Sequence, residues 1–197
     1  MSERSEKVER LREEGVGPYP RSYPDRAKIA TILAAHDPDE LGAGEHSQWS
    51  YRIAGQLIGK RGHGKTVFFD LRDLSGEMQA YARRDALGDE AFERIEDLDI
   101  GDMVGVEGDL YVTKRGQLAV EVRECTLLAK ALRDPPDLFH GISDPETRYR
   151  HRELDLMANE RTREIFLLRA KLIAAIRSYM NEHDFIELET PTLQGLA

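Results

Sequence analysis

The sequence predicts a mainly β fold with helices at both ends, and three observations predict it. Between residues 49 and 130, five runs rich in β-branched and aromatic residues alternate apolar and polar with period two. On either side, the apolar residues fall instead at the three-and-four spacing of helices. Of the 197 residues, 40% are hydrophobic and 33% charged, a balance that buries a core and keeps a wet surface. No apolar run is long enough to span a bilayer, and the opening residues do not read as a signal peptide.

Taken in order, residues 2–14 read as a short polar helix anchored by Val8 and Leu11. Gly15 and the turn Gly17-Pro18-Tyr19-Pro20 stop it. Asp25 reads as the N-cap of a second helix with Ile29, Ile32 and Leu33 on one face. A polar loop, residues 36–47, follows. Strands are expected near 51–58, 66–73, 77–82, 103–112 and 118–128, with a helix near 86–97 between the third and fourth. Ser75-Gly76 and Lys114-Arg115-Gly116-Gln117 supply hairpin turns. Three strands, a helix and two strands form the element order of a five-stranded OB-fold barrel.

Asp134-Pro135-Pro136-Asp137 then breaks regular structure. In the connector that follows, Arg148, Arg150 and Arg152 alternate with Tyr149 and His151. Spaced arginines either clamp phosphate or pair with carboxylates, and composition does not choose between them. Asn159 reads as the N-cap of a long helix running to about His183. Its stripe is Ile165, Leu168, Leu172, Ala175, Ile176 and Tyr179. A strand at 185–189 and Thr190-Pro191 come next. One helix and one strand enclose no core, so the stripe calls for another chain or a further domain.

The sharpest motif is Gly59-Lys60-Arg61-Gly62-His63-Gly64-Lys65-Thr66, which fits the phosphate-loop pattern G-x-x-x-x-G-K-[ST] at every fixed position. Such a loop needs a helix after it, whose N-terminus faces the phosphates. Here Val67-Phe68-Phe69-Asp70-Leu71-Arg72-Asp73 follows and alternates as a strand. The expectation is therefore a basic hairpin loop at the rim of the barrel, a place where OB folds bind oligonucleotides. Nucleotide binding through Lys65 and Thr66 stands as the alternative.

Alternation assigns faces to the neighbouring strands. Val67, Phe69, Leu71, Met78, Ala80 and Ala82 point inward. Phe68, Gln79, Tyr81 and Arg83 are left outside, next to the basic loop. An aromatic ring, an amide and cations are what single-stranded bases need, for stacking, edge reading and phosphate contact respectively. The formal net charge of −9 excludes a protein that coats nucleic acid with its whole surface, but positive charge gathers on Lys60, Arg61, Lys65, Arg83, Arg84, Lys114 and Arg115. Eight acids fall between Asp85 and Asp102, against one base, Arg94. Cys125, the single cysteine, excludes an internal disulfide and reads as a buried structural residue; the six histidines show no metal-ligand spacing.

Three stretches together resemble one family: Pro18-Tyr19-Pro20; the string Phe139-His140-Gly141, Asp144, Glu146, Arg148-Tyr149-Arg150, Arg152 and Leu154-Asp155-Leu156; and Phe185, Glu187, Glu189-Thr190-Pro191. The chain resembles the N-terminal part of class II lysyl-tRNA synthetases of the bacterial and eukaryotic type. The resemblance implies four segments: a helical arm (1–47), an OB-fold anticodon-binding domain (48–130), a connector (131–158) and the first helix and strand of the class II α+β catalytic domain (159–197). It implies that Arg61 and Phe68 hold the central anticodon base and that Gln79 reads it. Gln117 stands where the family usually has Glu, which exchanges a charged acceptor for a neutral one at a second base. Lys60, Lys65, Lys114 and Arg115 are expected to hold phosphate. Leu168, Leu172, Ile176 and Pro191 are expected at a homodimer interface.

The resemblance further implies tRNA-Lys as partner, a cytoplasmic setting, and ATP and Mg²⁺ as needs of the intact family member. Its motifs 2 and 3 would fall beyond residue 197, so no catalytic or metal-binding residue is assigned here, and the chain alone is expected to be inactive in aminoacylation. A protein-interaction module that binds no RNA is the remaining alternative.

Overall fold

The computed structural model describes residues 3–39, 41–42, 44, 46–193 and 195; Ser2, the expected start of the first helix, and residues 40, 43 and 45 of the expected polar loop lie outside them. The chain forms two compact units, residues 1–134 and 135–197.

The first unit contains strands β1 (His46–His63), β2 (Thr66–Arg72), β3 (Glu77–Arg83), β4 (Met103–Val112) and β5 (Leu118–Ala129). They close into a barrel in the spatial order β1-β2-β3-β5-β4. Neighbours are antiparallel except β3 and β5, which run parallel over three residue pairs. The expected OB order is thus present. The core is the inward half of each alternation: Ile53 and Leu57, Val67, Phe69 and Leu71, Met78, Ala80 and Ala82, Val104, Val106 and Leu110, then Val120 and Val122. Each such fully buried Val, Leu, Ile or Phe contributes about 1.5–3 kcal/mol relative to exposure. The expected helix near 86–97 is two pieces, α3 (Arg84–Leu87) and α4 (Asp89–Glu96), divided by Gly88 at φ +81°. Phe92 and Ile95 of α4 are buried in the barrel core. At Gly108 the backbones of β4 and β5 approach so closely that a Cβ would sit 1.9 Å from the Glu121 carbonyl oxygen. The ladder register shifts at this point.

The arm is fastened to the barrel largely by charge. In α1 (Glu3–Glu13) only Val8 is buried. Lys7 donates to Asp99 at 2.9 and 3.0 Å and to the Asp97 carbonyl at 3.2 Å, while Arg4 donates to the Ile100 carbonyl at 3.1 Å. Behind them the Lys130 ammonium, 2% exposed, is held by Asp102 at 2.8 and 3.0 Å and by Asp99. Burial alone would raise the Asp99 carboxyl, but hydrogen bonds from Lys130 and Lys7 carry it below its ordinary value.

The second helix, α2 (Ile29–Ala35), corrects one expectation. Asp25 sits at φ +57° and caps nothing; the helix begins four residues later. Its first amides are satisfied from a distance, Ile29 N–H by Asp73 Oδ2 and Ala30 N–H by Ser75 Oγ, both at 3.0 Å. The turn between β2 and β3 is therefore the cap. Ile29 and Ile32 join the core, whereas Leu33 is exposed.

In the second unit, α5 (Pro145–Arg150), α6 (Arg152–Ala158) and α7 (Glu160–Glu182) follow one another. Asp144 caps α5, accepting from Thr147 N–H at 2.8 Å. The question left by the spaced arginines is answered by Asp155, fully buried. It accepts from Arg148 Nε at 2.9 Å, from Arg152, from Asn159 and from Thr162 Oγ1 at 3.1 Å. Arg150 pairs at the surface with Glu146 at 2.8 Å. Asn159 stands at the start of α7 as expected, but its side chain holds the Ile142 backbone instead of capping the helix. The stripe of α7 is exposed, with Leu168 at 67%, Leu172 at 58% and Ile176 at 54%. Residues 185–189, expected as a strand, are irregular, because no strand among the described residues of this unit offers an edge to pair with.

Candidate nucleic-acid interface

The glycine-rich stretch is a hairpin. β1 runs through to His63, pairs His63 with Thr66, and turns over Gly64 and Lys65 alone. Gly64 takes φ +59° at the first central position, as a two-residue II′ turn requires. Thr66 opens β2, and its hydroxyl donates to the His63 carbonyl at 2.9 Å. Without a helix after Thr66 there is no dipole for a triphosphate, and the phosphate-loop alternative is corrected on that ground.

What the hairpin does is deliver Arg61 to the outer face of the sheet. Arg61 pairs with Phe68, Phe68 with Tyr81, and Asp70 with Gln79. The Phe68 and Tyr81 rings stack with centroids 4.7 Å apart, and Tyr111 of β4 lies 5.7 Å beyond Tyr81. The Arg61 guanidinium stands 5.9 Å over the Phe68 ring. Gln79 Nε2 donates to Asp70 Oδ1 at 3.0 Å. Arg61, Phe68, Gln79, Tyr81 and Tyr111 wall a cleft of about 660 Å³, completed by Arg83, Glu121 and the β4–β5 turn with Thr113, Lys114, Arg115 and Gln117. That turn is closed by Thr113 N–H to the Gln117 carbonyl at 2.8 Å, with Gly116 at φ +75°. All four residues expected to touch bases, Arg61, Phe68, Gln79 and Gln117, line this one cleft.

The expected phosphate-holding residues divide. Lys114 and Arg115 line the cleft, and neither has a carboxylate partner among the described residues, nor has Arg61. Lys60 does not belong there, and the expectation is corrected. Its ammonium is turned to the Glu96 carbonyl at 2.7 Å and to the Leu98 carbonyl, and burial lowers its pKa. Lys65 sits at the hairpin tip beside Asp85 at 3.5 Å and outside the cleft walls.

Four residues of the cleft were not singled out from the sequence: Gly44, Tyr111, Thr113 and Glu121. Tyr111 follows Leu110 and precedes Val112, both core residues, so alternation along β4 carried the signal. Burial, with Tyr81 and Glu121 nearby, pushes its hydroxyl up to about 12, so it stays a hydrogen-bond donor. Glu121 accepts from Arg83 Nε at 2.6 Å at the edge of the cleft. A second cleft between α1 and α4 offers no surplus of positive charge, since Arg10 and Arg94 face Glu14, Glu90, Glu93 and Asp97. Among the described residues, no three His, Cys, Asp or Glu side chains are grouped to hold a metal ion, and no helix is long and apolar enough to cross a membrane. Cys125, half-buried on β5, has its thiol pushed up to about 12 by burial and then by Glu124, far from a reactive thiolate.

Comparison with known proteins bears on both units. Residues 51–128 match the family model described as the OB-fold nucleic acid binding domain, and residues 144–197 match tRNA synthetases class II (D, K and N). The chain is 48% identical over 177 residues to a lysine–tRNA ligase of Leuconostoc citreum, covering 90% of the chain and 36% of that ligase. It is 42% identical over all 197 residues to that of Moorella thermoacetica, covering 39% of it, and 39% identical over 194 residues to that of Bacillus thuringiensis, covering 98% of the chain and 39% of the ligase. The chain thus spans well under half the length of the curated relatives it matches.

Proposed function

We propose that this chain, homologous over nearly its whole length to the N-terminal part of class II lysyl-tRNA synthetases, reads the anticodon of tRNA-Lys. The observation that carries the reading is the meeting of Arg61, Phe68, Gln79 and Gln117 in one cleft of the barrel. Phe68 stacks on the central base, an interaction of about 1–3 kcal/mol. Gln79 meets that base's edge, and Gln117 meets the edge of a neighbour. Arg61, Lys114 and Arg115 contact the backbone phosphates.

In the whole ligase this recognition would accompany lysine activation with ATP and Mg²⁺ in the cytoplasm, followed by transfer to the tRNA. The part of this chain in that reaction is recognition and positioning. The exposed face of α7, with Leu168, Leu172 and Ile176, and the exposed Pro191 beyond it, would then meet a second copy.

The test is fluorescence anisotropy with two RNA stem-loops that share a stem and carry UUU or a scrambled anticodon, titrated at two salt concentrations. Tighter binding of UUU that Phe68→Ala removes is the expected result. Equal and strongly salt-dependent binding of both would reduce the site to phosphate contact and overturn the reading.

A further inference from the structure

We propose that Asp70 is the positioning residue that makes Gln79 select uracil over cytosine; this rests on the reading of Gln79 as the reader of a base. A primary amide is by itself an ambiguous reader. In one orientation its oxygen accepts from uracil N3–H while its N–H donates to a uracil carbonyl. Turned by half a rotation about its last torsion, the same amide donates to cytosine N3 and accepts from the cytosine amino group. A glutamine free to turn therefore discriminates the two pyrimidines poorly.

Gln79 is not free to turn. Its Nε2 donates to Asp70 Oδ1 at 3.0 Å. A carboxylate only accepts hydrogen bonds, so chemistry as well as geometry requires the nitrogen on that side. The turned amide would lose this bond and set its oxygen against a carboxylate oxygen. One N–H and Oε1 are left for a base, and for a base met at its N3 and C4 groups with the N–H toward C4 this order complements uracil and not cytosine.

The strands hold Asp70 in this place. It lies on β2, opposite Gln79 of β3 on one side and Gly59 of β1 on the other. A Cβ at position 59 would come within 2.8 Å of Asp70 Oδ2, so glycine leaves the carboxylate its room. No cation pairs with Asp70 among the described residues, and its hydrogen bond goes to Gln79. Asp70 and Gln79 both line a smaller cleft that adjoins the first and shares Gln79 and Gln117 with it.

The experiment compares binding of stem-loops carrying UUU and UCU to the 197-residue chain, with Asp70→Asn and Gly59→Ala as variants. An asparagine both donates and accepts, so it supports either amide orientation in nearly the same volume. An alanine at position 59 pushes the carboxylate end aside without changing its charge. The expected result is a preference for UUU in the parent that falls on the order of tenfold in each variant. Melting temperature and salt dependence should match the parent's, which a merely structural role would not leave intact. Gln79→Ala should abolish the preference, and adding Asp70→Asn to it should change nothing more. A preference that Gln79→Ala abolishes but both Asp70→Asn and Gly59→Ala preserve would overturn this inference alone. A parent chain without preference, indifferent also to Phe68→Ala, would overturn it together with the anticodon reading.

Discussion

The barrel and the helix α7 are built from equally periodic sequence, yet one hides its apolar face and the other displays it. In β2 every second residue is apolar, and Val67, Phe69 and Leu71 are all at or below 2% exposure. In α7 the stripe is as regular, and Leu168 and Leu172 are more than half exposed. The difference lies in topology. Five strands closed into a barrel cover each other, whereas among the described residues of the second unit α7 is accompanied by only two short helices, α5 and α6. Periodicity tells which face is apolar; it does not tell what covers it.

The comparison breaks most readily at the core. Phe69→Ala should lower stability by about 3–5 kcal/mol in urea melts, through lost burial and the cavity left behind. Leu172→Ala should change it by no more than about 0.5 kcal/mol while weakening self-association in sedimentation. An equal loss from both would mean that the stripe of α7 is covered within the chain. Next comes the buried charge: Asp102→Ala leaves the Lys130 ammonium with Asp99 alone and takes the acceptor from the Asp99 and Ala131 amides, and should cost about 3 kcal/mol by the same melts. Phe68→Ala, on the outer face of the same strand as Phe69, should leave the melt unmoved and weaken binding of the UUU stem-loop by about 1–3 kcal/mol.

Smaller effects sharpen the contrast. Asp99 has a folded pKa below its ordinary value of 3.8, so its contribution is present above that value. It is lost as pH falls through the folded pKa. Urea midpoints should therefore drop more steeply below pH 4 for the parent than for Asp99→Asn. The smallest effect separates two cations: Arg115→Ala should reduce the salt slope of RNA binding by about 1, and Lys60→Ala should leave it alone.

Much of this was legible in the residues. The faces of β2 and β3 follow from alternation, and with them the outward placing of Phe68, Gln79 and Tyr81. Lys60 and Arg61 were harder. Consecutive strand residues must point to opposite faces, and which one points outward depends on a register shift between Leu57 and Gly59 that no local pattern announces. Glu121 was hidden by a similar shift at Glu107 and Gly108. The cap of α2 lies 44 residues away in Asp73, a tertiary fact beyond any reading of Asp25. Residues 185–189 have the composition of a strand, but composition supplies no edge for them to pair with.

The parallel seam between β3 and β5, only three residue pairs long, has a kinetic consequence. It has the shortest ladder in the barrel, so opening fluctuations should begin there and its amides should exchange with deuterium soonest. Gln79 and Tyr81 stand on one side of the seam, Glu121 and the Gln117 turn on the other, and the candidate cleft straddles it. An RNA loop seated in that cleft would act as a suture, and exchange along β3 and β5 should slow when it binds even though no strand moves.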